Sequence, residues 1–423
     1  MTRYRTLDHP VIAMIRWDPE QPAEWVNDHI AMVHATSNSY LIPGEHGDDD
    51  LVINTGTALQ GASIRAKYED LLGRPLKVSR VISTQNHADH IGGWKAFADP
   101  QTEFIAQRMA SQLLVERDRL SNFFGRRYAN VISAMMTGSV RQEGVRETWP
   151  DKFTTYDHEM AFTQSGRRLV LKSLWSGETL DSTAVWLPDE RTVFTGNWAG
   201  AIHGALPNFY TARGDRQRSV PGWLGQCRDL LAEEPELLIT GHEQPIRGKD
   251  RIRADLTKVH DAVRFIHDET VARMDAGTNL PAIMAAITLP EHLKPRDGRC
   301  PPSWIVRAVY EEYAGWFHQE HTSELYPTPQ SVIWAELVER AGGAEEVAGK
   351  AKRELDAGNP DKALHFIEMA VFVEPLNPAV RQTELAVLDK LADATEGRIF
   401  DLLGWLEGRI TAARAAIEQA RNA

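Results

Sequence analysis

Cysteine is scarce in this chain. Among 423 residues there are two, Cys227 and Cys300, which allow one bridge at most and exclude a disulfide framework. Basic charge is also short: 47 Lys and Arg stand against 59 Asp and Glu, a net −12. Partners that need a basic footprint, nucleic acid and anionic membrane, are therefore not expected. No run of about 18 apolar residues occurs, so no transmembrane helix is expected. The opening stretch MTRYRTLDHPVIAMIRW is charged and broken by Pro10. It lacks the apolar core of a secretory signal, and the expected location is the cytoplasm. What the chain does have is an ordinary globular balance, 42% hydrophobic and 25% charged, and a length suited to about two or three domains.

The two ends differ in texture. The first half holds short runs rich in Val, Ile, Leu, Thr and Phe that end on Gly, Asn, Asp or Pro: HATSNSYLIPG, DDDLVINTG, KVSRVISTQNH, RRLVLKSLWSG, STAVWLP, RTVFTGN and PELLITGHE. These read as strands. Helical stretches such as ASIRAKYEDLLG and PGWLGQCRDLLAEE lie between them, which predicts a layered α/β domain over residues 1–250. Beyond residue 250 nearly every segment reads as helix. Val259, Val263, Ile266 and Met274 recur near helical spacing, and Gly277 makes a stop. The segment AKRELDAGNPDKALHFIEMAVFVEPLNPAVR is a tetratricopeptide-like helix pair. One such pair cannot bury its own apolar face, so residues 251–423 are expected to form an all-α domain that pairs with further helices or with a second subunit.

The strongest chemical signal is VISTQNHADHIGGW. It delivers His87, Asp89 and His90 at a strand end, before a Gly-Gly turn. Imidazole nitrogen and carboxylate oxygen are the ligands that Zn²⁺ and similar ions accept, and a short loop bearing them can aim at one ion or two. Glu178 in LWSGETLDS, Asn197 in VFTGNW and His242 in LLITGHEQP each follow a later strand run. Strand C-termini are where α/β proteins place sites. Arg213 in PNFYTARG offers a fork suited to a tetrahedral oxyanion or a carboxylate. Arg216 and Arg218, in the same run, read as solvated, and His203 reads as a loop residue.

In order and context these residues resemble the metallo-β-lactamase superfamily, with its H-x-H-x-D-H loop, a later His or Glu, a bridging carboxylate and a last His. GETLDSTAVWLPDERTVFTGN, ALPNFYTARGDRQRS and the helical segments YEEYAGWF and ELVERAGGAEEVAGKAKRELDAGNPDKAL are similar to the alkylsulfatase branch. The resemblance implies an αββα sandwich followed by a helical dimerisation domain, and hence a homodimer. It implies metal-dependent hydrolysis of an anionic small-molecule ester, most simply an alkyl sulfate. It places metal ligands at Gln85, His87, Asp89, His90, Glu178, Asn197 and His242. Asp89, Glu178 and His87 become the candidate catalytic residues, and Asn208, Tyr210 and Arg213 the candidate substrate-binding residues. The sterol-carrier-like domain of the long members is not expected in a sequence that ends at Ala423.

Two positions depart from the pattern. Gln85 stands where the family's first loop His would be, and Asn197 stands in place of the bridging carboxylate. Two dications about 3.5–4 Å apart repel by on the order of 15–20 kcal/mol at an effective dielectric of about 20, and the missing carboxylate would have offset part of that. The expectation is one well-bound Zn²⁺ at Asp89, His90 and His242. The alternative is a two-ion site, including one with Mn or Fe. Other readings stay open: a lactone, thioester or phosphoester hydrolase of the same fold, an iron-dependent redox enzyme, or a non-catalytic homodimer with an altered metal site.

Overall fold

The structure is a computed structural model that describes residues 5–45, 47–136 and 148–422, with the side chains of 132–136 outside the description. Thirteen strands form two sheets among these residues. The first sheet runs in chain order through β1 (Glu24–Trp25), β2 (Ala31–Val33), β3 (Ser39–Ile42), β4 (Asp50–Ile53), β5 (Val78–Ile82), β6 (Glu103–Gln107) and β7 (Thr154–Tyr156). It is antiparallel up to β4 and parallel from β4 to β7, with Val52 opposite Val81 and Ile82 opposite Ile105. The second sheet comprises β8 (Glu159–Gln164), β9 (Arg167–Ser173), β10 (Thr183–Leu187), β11 (Thr192–Gly196), β12 (Leu237–Thr240) and β13 (Ile246–Arg247). Its strands are antiparallel except where β11 lies parallel to β12.

Side-chain alternation makes the layers. Leu51 and Ile53 of β4 and Val185 and Leu187 of β10 join one core between the sheets, together with Ile82, Ile105, Phe194 and Ile239. The residues between them point outward. Val52 packs with Ile64 and Tyr68 of the helix Gly61–Leu72. Ala184 and Trp186 pack with Trp223 and Leu224 of the helix Val220–Ala232. Both faces of the central strands are thus covered, which is why these runs are apolar throughout. The four layers are helix, sheet, sheet, helix, the αββα sandwich expected from the sequence.

The chain divides into two compact units. One holds residues 10–125 and 141–313, and the other holds 1–9, 126–140 and 314–423. Residue 250 lies inside the first unit. The helix Lys249–Asp275 buries Ile252, Leu256, Val259, Val263 and Ile266 in the cluster on the outer face of the second sheet, and the helix Pro302–Ala314 adds Ile305, Val306 and Val309. The stop expected at Gly277 is present: its φ is +77°, and its N–H donates to the carbonyl of Met274.

In the second unit the helices Ala344–Asp356 and Pro360–Val373 pack through a stripe of small residues, Ala344, Ala348 and Ala351 against Ala363, Ile367 and Ala370. Gly358 (φ +85°) and Pro360 shape the turn between them. The pair does not stand alone. Val380 and Val387 of the helix Pro378–Ala394 complete the cluster, and Leu388 and Ala392 carry the packing on to the helix Phe400–Asn422. No helix among the described residues is long and apolar enough to cross a membrane.

Candidate metal centre

The loop after β5 reaches the site through backbone anchors. Asn54, at the end of β4 with φ +60°, accepts from both the N–H and the hydroxyl of Thr84 through its side-chain oxygen. Asn is one of the few residues that takes this left-handed conformation readily. Asp89 and His90 do not lie in an open loop, as the strand-end reading implied. They sit on one turn of helix, Ala88–Ile91, in which the N–H groups of His90 and Ile91 donate to the carbonyl of His87. A helical turn is the local solution because His87 takes the extended N-cap conformation (φ −68°, ψ 145°) and the Gly-Gly pair then ends the turn.

Asp89, His90 and His242 converge. One ligand atom from each lies within 4.8 Å of the others. His90 Nε2 is 3.7 Å and His242 Nε2 3.8 Å from Asp89 Oδ2. The hydrogen bonds fix both imidazole tautomers. The Ser37 hydroxyl donates to the carbonyl of Gly241, and the Thr84 hydroxyl donates to Asn54 Oδ1. Each hydroxyl has one proton, so both accept from His90 Nδ1, at 3.2 Å. His242 Nδ1 lies 2.6 Å from the carbonyl of Thr36, which can only accept. Both rings therefore carry their proton on Nδ1 and turn a bare Nε2 toward Asp89, the arrangement that metal-ligating histidines use. His90 Nε2 is buried with no hydrogen-bond partner among the described residues. Burial holds His90 neutral, pushing its pKa down to about 4. Burial works against the Asp89 carboxylate, but His90 and His242 beside it hold it below the usual range. The donor set fits a divalent ion of the zinc type. Gly241 is required by the close approach, since a Cβ there would come 2.1 Å from Asn197 Oδ1 and 3.0 Å from His90 Cε1.

The other half of the expected ligand set is arranged differently. Gln85 Oε1 accepts the backbone N–H of Asn197 at 3.2 Å. That fixed donor turns the Gln85 amino group toward His87 Nδ1 (2.8 Å) and Glu178 Oε2 (3.0 Å). The Asn197 amino group donates to the same Glu178 oxygen (2.8 Å) and to His242 Nε2 (2.9 Å). Gln85 and Asn197 thus present N–H groups where a second ion needs lone pairs. With Nδ1 accepting, His87 carries its proton on Nε2, which faces Asp215 Oδ2 at 3.4 Å. Glu178 is nearly buried, with Arg213 Nη2 3.2 Å and Arg299 Nη1 3.6 Å from its Oε1. Burial disfavours its charge, yet His87 and the two arginines hold its carboxyl well below the usual range.

The anion-binding candidates separate. Arg213 is buried beside Glu178, and Asn208 lines a small cavity next to that carboxylate. Tyr210 turns outward: it is exposed, does not line the cavity, and its hydroxyl engages Glu311. Arg216 pairs with Glu116 at the surface. Arg218, read from sequence as solvated, is buried; it donates to the backbone carbonyls of Asn208 and Glu178 and lies 3.3 Å from Asp215. His203 serves its loop, at 3.2 Å from Asp255. Asp215 and Arg299 were not found by sequence reasoning. Asp215 had a cue in its neighbour Arg213, whereas Arg299 lies in the Gly- and Pro-rich run RDGRCPP, which carries no periodicity.

Comparison with known proteins agrees with this geometry. Residues 34–242 match the metallo-beta-lactamase superfamily, and residues 280–400 match alkyl sulfatase dimerisation. A linear primary-alkylsulfatase of Pseudomonas sp. (strain ATCC 19151) is 26% identical over 70% of this chain, and the alkyl/aryl-sulfatase BDS1 of Saccharomyces cerevisiae is 24% identical over 93% of it. The chain spans 60% and 67% of the lengths of these two relatives. The solved structure of the stereoselective inverting sec-alkylsulfatase Pisa1 from Pseudomonas sp. shares the fold, with a TM-score of 0.79 at 21% identity over 93% of this chain and 65% of that one. The superfamily's fold implies a divalent metal, and the Asp89–His90–His242 cluster is a candidate site for it. The chain thus combines a metallo-beta-lactamase domain over residues 34–242 with an alkyl sulfatase dimerisation domain over residues 280–400.

Proposed function

We propose that this chain is a metal-dependent hydrolase of alkyl sulfate esters. The observation that carries the reading is the placement of two lone-pair-bearing imidazoles and a carboxylate beside buried, arginine-flanked Glu178. Asp89, His90 and His242 would hold one Zn²⁺, leaving an open position as catalytic zinc sites do. When bound there, the ion supplies Lewis acidity and brings the pKa of a water down to about 7. The rest falls to the chain. Arg213 and Asn208 orient the anionic head. His87, with its Nε2 directed at Asp215 and its Nδ1 beside the Gln85 amide, is positioned to move a proton. Glu178, kept ionised, fixes Arg213 and the two amide side chains.

A second ion finds no vacant set of lone pairs. To bind at Gln85, His87 and Glu178 it would have to turn the Gln85 amide away from the Asn197 N–H. The expected stoichiometry is near one zinc per chain by plasma spectroscopy. Decyl sulfate should be cleaved by zinc-loaded protein and not after chelation. Metal-loaded protein that turns over no sulfate ester would sink the substrate assignment, and protein that holds no ion would sink the hydrolase.

Pairing through the helical region is part of the same reading. Phe372 (54% exposed) and Leu376 (47%) lie at the C-terminal end of the tetratricopeptide-like pair, where a second copy would cover them. Phe372→Glu should split a dimer in sedimentation, and a monomeric parent at micromolar concentration would refute the pairing. The two cysteines are buried free thiols, which suits a reducing compartment such as the cytoplasm.

A further inference from the structure

Arg299 enters the site from a segment far from every metal-ligand motif. It lies in the turn before the helix Pro302–Ala314, inside the stretch that matches alkyl sulfatase dimerisation. Its position is built by backbone pairing rather than by chance. The Arg296 N–H donates to the carbonyl of Gly204 at 3.0 Å, Ala205 and Arg296 form a parallel bridge, and the Cys300 thiol lies 3.5 Å from the carbonyl of Pro207. Gly298 lets the strands meet, since a Cβ there would come 3.0 Å from Ala205 Cβ. The loop that carries Asn208 and the loop that carries Arg299 are therefore held side by side.

Both Arg213 and Arg299 aim at one atom, Glu178 Oε1, from 3.2 and 3.6 Å. Two guanidinium charges thus converge on one carboxylate oxygen. Arg299 also lines the cavity beside Glu178, of about 20 Å³, whose walls include Asn208 and the apolar Trp198, Ile202, Leu206 and Phe209. Room of that size holds about one water-sized group, such as a single oxygen of an anion, and no alkyl chain. Guanidinium groups at an apolar wall favour a ligand that brings negative charge.

We propose that Arg299 is the second arm of an anion clamp. With Arg213 it grips the tetrahedral oxyanion of the substrate's ester group, and Glu178 serves as the counter-ion of the pair between turnovers. This rests on the sulfate-ester reading above and adds a specificity element to it. The clamp selects a head with several oxygens in three dimensions, so a flat neutral lactone gains nothing from it.

The test uses the full-length, zinc-loaded protein with Arg299→Met and Arg299→Lys. Inorganic sulfate binding is measured by calorimetry, and kcat and KM are measured with decyl sulfate. Loss of a charge-assisted contact should weaken sulfate binding and raise KM by about 10- to 100-fold in Arg299→Met, with a smaller change in kcat. Arg299→Lys, which keeps the charge and most of the packing, should recover part of the loss and guards against misfolding as the cause. Sulfate affinity within twofold of the parent in Arg299→Met overturns the clamp, as does a parent that binds no sulfate. A parent that hydrolyses decyl sulfate while Arg299→Met is unchanged removes the clamp and leaves the hydrolase. A parent that binds sulfate through Arg299 but cleaves no sulfate ester keeps the clamp and removes the hydrolase.

Discussion

On the Asp89 side of the site, two imidazoles turn unprotonated nitrogens toward a carboxylate; on the Glu178 side, in the loop between β9 and β10, two amides turn N–H groups toward another. The first side presents acceptors suited to a cation, and the second supplies its own positive ends. Residue type decides the difference. Hydroxyls and a carbonyl behind His90 and His242 take the ring protons, leaving both Nε2 atoms as acceptors, that of His242 engaged by the Asn197 amide. The backbone N–H behind Gln85 takes the amide oxygen and leaves only donors in front. Ligand chemistry is thus set as much by what stands behind a side chain as by the side chain itself.

The largest expected effect comes from breaking the first side. His242→Ala should abolish stoichiometric zinc binding and lower hydrolysis by about 10³-fold or more, whereas Gln85→Ala should cost about 10- to 100-fold, as outer partners of a metal site do. Equal losses from the two substitutions, by equilibrium dialysis and steady-state kinetics, would erase the distinction. The next effect comes from converting the second side into the first. Gln85→His with Asn197→Asp replaces both donors by lone pairs and restores the bridging charge. Zinc content should rise from near one to near two per chain, visible as a second peak in an anomalous-scattering map. A count that stays at one means that Arg213 and Arg299, rather than the amides, exclude the ion.

The smallest effect concerns protons. In the metal-free chain His90 is held neutral, its pKa pushed down from 6.5 to about 4 by burial. Its contribution is complete above pH 6.5 and is lost as pH falls toward 4, an expected change of about 2–4 kcal/mol. Glu178 and Asp89 shift downward, so their contribution persists until pH falls below the ordinary carboxylate range. Burial also shifts His203 downward, so the ring of His90 is isolated in the window from pH 6.5 to 4.5 by comparison with His90→Gln. Urea midpoints should fall across it in the parent and stay flatter in His90→Gln. A parent whose midpoint does not move between pH 6.5 and 5 would show that the ring is not held neutral.

Much of this was legible in the sequence because strands announce their own ends. The apolar runs closing on Thr84, Gly196 and Gly241 placed the loop of His90, Asn197 and His242 at strand termini, where the structure has them. The helix pair at residues 344–373 was legible from its small-residue stripe and its Gly-Asn-Pro turn. The helical turn bearing Asp89 was not, since four residues are too few for a period. Arg218 was misjudged because a run of arginines reads as solvated until its carbonyl partners are known. Arg299 left no trace, because its place depends on a bridge between two loops about 90 residues apart.

Asp89 and His90 hang from the first sheet, just past β5, while His242 hangs from the second, just past β12. An ion shared among them would act as a rivet through the sandwich. Its affinity then doubles as a strain gauge: any core substitution that lets the sheets breathe should surface first as faster zinc loss, before the chain unfolds, and excess zinc should raise the melting temperature in proportion to the logarithm of its concentration.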